Sequence, residues 1–107
     1  MLHEADIPFE GVRAWILQAA ASQLVFFEFE AGDILPAHNH TCMQWGMVID
    51  GEMELFIDGA QRSCAKGDEY VIPPGTKHYA EFFRRTRVMD YFSEKSRYNA
   101  KKTPRPG

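Results

Sequence analysis

Within PAHNHTCMQWG, residues 36–46, His38 and His40 stand two apart and Gln44 follows; His78 comes after the Pro-Pro-Gly of IPPGTKHYAEF, residues 72–82. In an extended strand alternate side chains share a face, so His38 and His40 project together from Cα atoms about 7 Å apart. Both imidazoles can then reach one ion at about 2 Å from nitrogen. Gln44 follows across a tight bend and offers an amide oxygen. His78, from a distant segment, completes a set of three nitrogens and one oxygen. That donor set suits a borderline divalent transition metal: zinc, nickel, manganese or iron. The competing reading is a degenerate site that holds no ion. A neutral amide at Gln44 leaves the full double charge on the ion, which makes it the stronger Lewis acid. It also favours the divalent over the trivalent state, which weighs against oxygen-activating redox chemistry.

The elements that must position these residues read as strands. Period-two alternation recurs along the chain, and no stretch carries a helical stripe. LVFFEFE (24–30) is aromatic-rich and ends at Ala31-Gly32-Asp33. QWGMVID and EMELFID are joined by Gly51, and a second Asp-Gly follows at Asp58-Gly59. Asp-Gly between apolar runs is a hairpin signal, because glycine takes positive φ without strain. EYVI, KHYAEFF and RVMDYF follow further turn signals, and VRAWILQAA is assigned as a strand over a short helix. Short strands punctuated by glycine and proline predict an all-β, single-domain antiparallel sandwich or barrel.

Other chemistry-bearing side chains have plainer readings. His3 is expected at the surface. Cys42 shares parity with His38, His40 and Gln44, but a small buried side chain is the simpler reading than a ligand. Trp45, Phe56, Phe82 and Phe83 are expected to fill the core or line a cavity mouth, and Met43, Met47, Met53 and Met89 to pack.

The spacing Gly32, His38-x-His40, Gln44, Gly51 resembles the first motif of the cupins. Gly67, Pro73-x-Gly75, His78 resembles the second. Two motifs in the right order cover about half the chain, from Gly32 to Phe82. The resemblance implies a jelly-roll barrel, an architecture that hosts many unrelated functions. This chain departs from the motifs in having Gln44 in place of the usual glutamate and Phe82 where asparagine is common. MDYFSEKSR (89–97) resembles the end of the small pectin-degradation cupins, which are implied to use a His-His-Gln-His metal site and to open or ketonise unsaturated uronates. Asp90 and Phe92 carry over directly. Arg97 falls one residue off the pattern, and the His40-to-Gln44 gap is one residue shorter. The alternative for Asp90 is a strand-end carboxylate paired with a nearby arginine.

The whole chain bounds these readings. Its 107 residues, 45% hydrophobic and 25% charged, describe one ordinary globular domain. The net charge of −3 divides unevenly. Residues 93–107 hold five basic side chains (Lys95, Arg97, Lys101, Lys102, Arg105) against Glu94, while residues 1–92 hold seven basic and fourteen acidic ones. The expected organisation is therefore a barrel domain over 1–92 and a basic, flexible tail over 93–107. The acidic body would repel phosphate, so nucleic acid is not an expected partner. No apolar run approaches a membrane span, no secretory signal is read at the start, and the two cysteines form no framework; a reducing cytoplasm is expected. Trp15, Ile16 and Leu17 have little chain nearby to bury them all, so a homodimer covering the N-terminal strand is expected.

Three functions remain open. The first is a metal-assisted isomerase or tautomerase for a small sugar acid or keto acid, with Asp90 moving the proton, Arg97 anchoring a carboxylate, and Phe82 and Phe92 lining the pocket. The others are a metal-dependent dioxygenase and a non-catalytic cupin that senses or stores a small ligand.

Overall fold

The computed structural model describes residues 2–101. Ten strands follow in chain order: β1 (Leu2–Glu4), β2 (Arg13–Gln18), β3 (Gln23–Phe29), β4 (Ile34–His38), β5 (Gln44–Asp50), β6 (Glu52–Ile57), β7 (Ala60–Ala65), β8 (Glu69–Ile72), β9 (His78–Glu81) and β10 (Thr86–Phe92). VRAWILQAA supplies β2 as expected. Among the described residues no helix is long and apolar enough to cross a membrane.

The strands form two antiparallel sheets. One has six strands in the order β1-β2-β3-β10-β5-β8, and the other has four in the order β4-β9-β6-β7. Their facing sides bury one core in a flattened jelly-roll barrel. Val25, Phe27, Val48 and Val88 come from the larger sheet and Met53, Leu55, Cys64 and Ala80 from the smaller. Alternation along β3 is strict, each buried residue followed by a half-buried one, as the period-two reading of LVFFEF requires. Phe82 leaves the end of β9 and stacks on Phe29 with ring centroids 3.9 Å apart.

The two Asp-Gly pairs have different roles. Asp58-Gly59 is a true hairpin turn between paired β6 and β7, with φ of 49° and 82°. Asp50-Gly51 is a corner instead, since β5 pairs with β10 and β8 while β6 pairs with β7 and β9. The chain there passes from one sheet to the other beside the β9–β10 loop. A Cβ on Gly51 would lie 2.5 Å from the Arg85 carbonyl oxygen and 2.6 Å from Thr86 Oγ1. Glycine at 51 thus answers close backbone approach as well as its φ of 93°.

The chain beyond Phe92 remains packed through Lys101, whereas composition alone points to a flexible tail from residue 93. Tyr98 is buried, and Gln23 secures it twice: Gln23 Nε2 donates to the Tyr98 carbonyl at 2.8 Å and Tyr98 N donates to Gln23 Oε1 at 3.0 Å. Asp6 N donates to Asn99 O at 2.7 Å, and Lys101 N donates to Glu4 O at 2.7 Å. This segment carries Arg97 across the histidine end of the barrel. Lys102 and Arg105 lie outside the described residues.

Candidate metal centre

Four chain segments meet at one end of the barrel. His38 is the last residue of β4, His40 lies just beyond it, Gln44 opens β5 and His78 opens β9. The β4–β9 register opposes His38 directly to His78. Their rings lie 4.2 Å apart between centroids, with His40 at 5.8 Å from His38 and 5.0 Å from His78. One nitrogen of each lies within 4.8 Å of the others. All four sequence-selected donors therefore converge, although His40 reaches the cluster from a loop rather than from the strand that alternation alone would supply.

Each ring is also oriented. Nδ1 of His38 bonds the Pro36 carbonyl at 2.8 Å, that of His40 the Cys42 carbonyl at 2.9 Å, and that of His78 the Thr76 carbonyl at 2.9 Å. A carbonyl oxygen only accepts, so every Nδ1 carries the hydrogen and every neutral Nε2 presents a lone pair. His78 Nε2 is buried with no hydrogen-bond partner among the described residues. His40 Nε2 faces Gln44 Oε1 at 2.9 Å. With the neutral ring both atoms are acceptors, an arrangement that a cation shared between them would satisfy. The donor set thus fits a metal ion on this chain's own geometry, and the carbonyl partners supply the outer support that ligating imidazoles require. Spacing in the sequence cannot reveal these carbonyl bonds, since they depend on loop conformation.

Electrostatics agree. Burial pushes the His38 pKa down, and it lowers that of His78 to about 4, with the neighbouring histidines and Arg97 adding to the shift. These two rings are neutral at pH 7, the form that binds metal. Cys42 stays outside the ligand set, its Sγ lying 3.5 Å from His40 Nδ1, the carbonyl-bonded side of the ring. Burial and the nearby Glu94 push its thiol pKa up, away from reactive thiolate.

The other selected residues divide by depth. Phe92 is buried, with His40 edge-on at 5.7 Å. The Arg97 guanidinium lies 5.9 Å from the Phe92 ring centroid and 4.5 Å from that of Tyr98, and its buried Nε has no hydrogen-bond partner among the described residues. Asp90 lies deeper on β10 and is 4% exposed. It accepts a hydrogen bond from the Tyr70 hydroxyl at 2.6 Å. Among the described residues its carboxylate is not paired with an arginine. Burial raises its pKa to about 6, with Tyr70 and Gln44 pulling the other way. Tyr70 is the residue that sequence reasoning missed; in EYVI it reads as an ordinary strand aromatic.

Gln44, Tyr70, His78, Phe82 and Asp90 border an interior cavity of about 20 Å³, room for one water. Of the four aromatics expected in the core or at a cavity mouth, only Phe82 lies in the core, while Trp45, Phe56 and Phe83 border shallow surface cavities. Trp45 is 50% exposed on the outer sheet face and Phe83 is 73% exposed, while Phe56 stacks on Tyr79, centroids 4.2 Å apart, on the alternate side from buried Leu55.

The cupin domain family matches residues 25–83, more than half of the chain and the segment that holds every histidine of the cluster. The protein is a cupin. Solved structures agree with the fold. An RmlC-like cupin from Shewanella frigidimarina NCIMB 400 is 24% identical with a TM-score of 0.81, over 89% of this chain and 86% of that one. KdgF from Halomonas sp. is 27% identical with a TM-score of 0.78, over 86% of this cupin and 88% of that chain. Quercetin 2,3-dioxygenase of Bacillus subtilis (strain 168) is 37% identical over 71 residues, which are 64% of this cupin and 21% of the relative's length.

Proposed function

We propose that this cupin is a metal-assisted isomerase or tautomerase acting on a small sugar acid or keto acid. The observation that carries the reading is the pairing of three converging imidazole nitrogens with an arginine that has no carboxylate partner among the described residues. A divalent ion held by His38, His40, His78 and Gln44 would supply Lewis acidity toward a carbonyl or hydroxyl oxygen. Arg97 supplies the charge that binds a substrate carboxylate beside the ion. Phe92 gives that guanidinium an apolar platform.

The interior cavity is too small for a sugar acid, so substrate is held on the His38 and Arg97 side. Phe82, stacked within the core, serves packing there rather than substrate contact. Asp90 exchanges the proton through the water-sized cavity that it shares with Gln44 and His78. The likeness to Halomonas KdgF and the resemblance of Asp90-x-Phe92 to the pectin-degradation cupins support this chemistry.

The test is turnover of a sugar-acid and keto-acid panel at saturating metal. Asp90→Asn is expected to lower turnover by about 100-fold per metal-loaded molecule. A fully active, metal-loaded Asp90→Asn would remove Asp90 from the proton transfer. The 37% identity to quercetin 2,3-dioxygenase favours a second reading, a metal-dependent dioxygenase. Substrate-dependent oxygen consumption by the iron-loaded protein would establish that reading in place of the first. Ligand binding with neither activity would mark a sensing or storage cupin.

The same reading includes a homodimer in a reducing cytoplasm, consistent with two free cysteines, and a small molecule rather than nucleic acid as partner. Across the outer face of the larger sheet, Leu2, Leu17, Leu24, Tyr91, Trp45 and Val71 align in one row through all six strands. That apolar row, rather than Trp15 and Ile16, supports the second subunit: Ile16 is buried in the core and Arg13 covers Trp15 at 4.9 Å. A monomer by light scattering at micromolar concentration would contradict it.

A further inference from the structure

Tyr70, Asp90 and Gln44 form a line of buried polar groups on the inner face of the larger sheet. The register opposes Gly46 to Asp90 on one side and to Tyr70 on the other. Gln44 lies two residues along β5, on the same face. All three side chains are buried, at 3% exposure for Tyr70, 4% for Asp90 and 7% for Gln44. Gly46 leaves the room that the Tyr70–Asp90 contact occupies: a Cβ there would lie 2.0 Å from Asp90 Oδ1 and 2.3 Å from the Tyr70 ring. Gly46 has an ordinary φ, so this glycine answers space and not backbone conformation.

We propose that Gln44 and Asp90 act as an interdependent pair, in which the Asp90 carboxylate, held by the Tyr70 hydroxyl, receives the Gln44 amide nitrogen and so turns the amide oxygen toward the histidines. The pairing rests on the inner face and cavity that Gln44 and Asp90 share and on the Tyr70–Asp90 bond beside them; its consequence for the ion rests on the metal-binding reading above. An amide is two-ended, and a carboxylate only accepts. Asp90 therefore decides which end of Gln44 faces inward, leaving Oε1 at 2.9 Å from His40 Nε2. Tyr70 and Asp90 are positioning residues in this role.

The pairing also gives a reason for glutamine at 44. A glutamate there would set a second carboxylate against Asp90 in a buried site, with no donor between them. Glutamine serves both sides, as a donor to Asp90 and an oxygen toward the ion.

The test is a double-mutant cycle on metal-free protein at pH 8, read by thermal unfolding. Gln44→Glu is expected to lower Tm by about 5 °C or more, or to prevent folding. Adding Asp90→Asn, which exchanges the amide and the carboxylate, is expected to return Tm to within about 2 °C of wild type. Additive effects of the two substitutions would overturn the pairing. Competition between the protein and a chromogenic chelator for Zn²⁺ tests the consequence. Tyr70→Phe and Asp90→Asn remove no ligand yet are expected to weaken zinc binding about tenfold. Unchanged zinc affinity in both folded variants would overturn the positioning role. A wild-type protein that takes no zinc, nickel, manganese or iron would instead defeat the metal reading, while the unfolding cycle would still decide the pairing.

Discussion

The two faces of the six-stranded sheet are built from the same strands and differ in kind. Along β5, Gln44, Gly46 and Val48 face inward while Trp45, Met47 and Ile49 face outward. Along β10, Asp90 and Phe92 face inward and Tyr91 outward. On the inner face each polar group has a defined neighbour: Tyr70 for Asp90, His40 for Gln44. On the outer face, Leu24, Trp45, Met47, Glu69, Met89 and Tyr91 line a mainly apolar depression of about 250 Å³, more than ten times the inner cavity. Of the larger concavity's described lining residues only Glu69 is charged, and none is a histidine. The smaller one borders Gln44, His78 and Asp90. Donor orientation, not cavity size, locates the site in this protein. The outer face is suited to association.

Substitutions on the two faces should therefore separate metal binding from assembly. The largest effect is expected from His40→Ala, which should lose metal during dialysis, while Gln44→Ala retains a substantial fraction. Imidazole nitrogen is the stronger donor and a neutral amide oxygen the weaker; metal content by elemental analysis checks this. Gly46→Ala should destabilise the fold by about 3 kcal/mol, because Asp90 and Tyr70 must both move to admit a methyl group. A denaturant titration that leaves Gly46→Ala as stable as wild type would show that the inner face is less tightly built. Trp45→Lys, one residue away but outward, should reduce self-association while leaving metal affinity within about twofold. Loss of metal by Trp45→Lys would break the contrast between the faces.

The smallest effect concerns pH in the metal-free protein. The His78 pKa is depressed from 6.5 to about 4, so its neutral burial stabilises above pH 6.5 and that contribution is lost as pH falls through about 4. The Asp90 pKa is raised from 3.8 to about 6, so its contribution is present below pH 3.8 and lost as pH rises through about 6. The two oppose each other across the same window. Asp90→Asn removes one of them, and its Tm should climb more steeply between pH 4 and 6.5 than that of wild type. Parallel Tm curves would show that Asp90 does not titrate in that window.

Much of the fold was legible in the residues because it rests on local rules. Alternation in LVFFEF and the Asp58-Gly59 turn are short-range signals, and both appear as read. Asp50-Gly51 has the same local signature yet forms a corner, because the partners of β5 and β6 are set by distant strands that no dipeptide encodes. The convergence of His38, His40, Gln44 and His78 was legible through their spacing. The carbonyls that aim them were not, and neither was Tyr70, whose role depends on the absence of a Cβ at Gly46 across the sheet. Parity also leaves open which face of a strand is the core, which is how Trp45 comes to lie outside. Residues 93–107 read as tail by their charge, but within 93–101 Tyr98 anchors the chain by burial and by two bonds to Gln23, a residue 75 positions away.

The central claim is that three oriented imidazoles hold a divalent ion at the end of this barrel. Metal-free protein titrated calorimetrically with Zn²⁺, Ni²⁺, Mn²⁺ and Fe²⁺, beside the His38→Ala/His40→Ala/His78→Ala variant, tests it directly. One ion bound per chain by the wild type and none by the folded triple variant is the result predicted here. Equal binding by the two proteins, or none by either, would contradict the account.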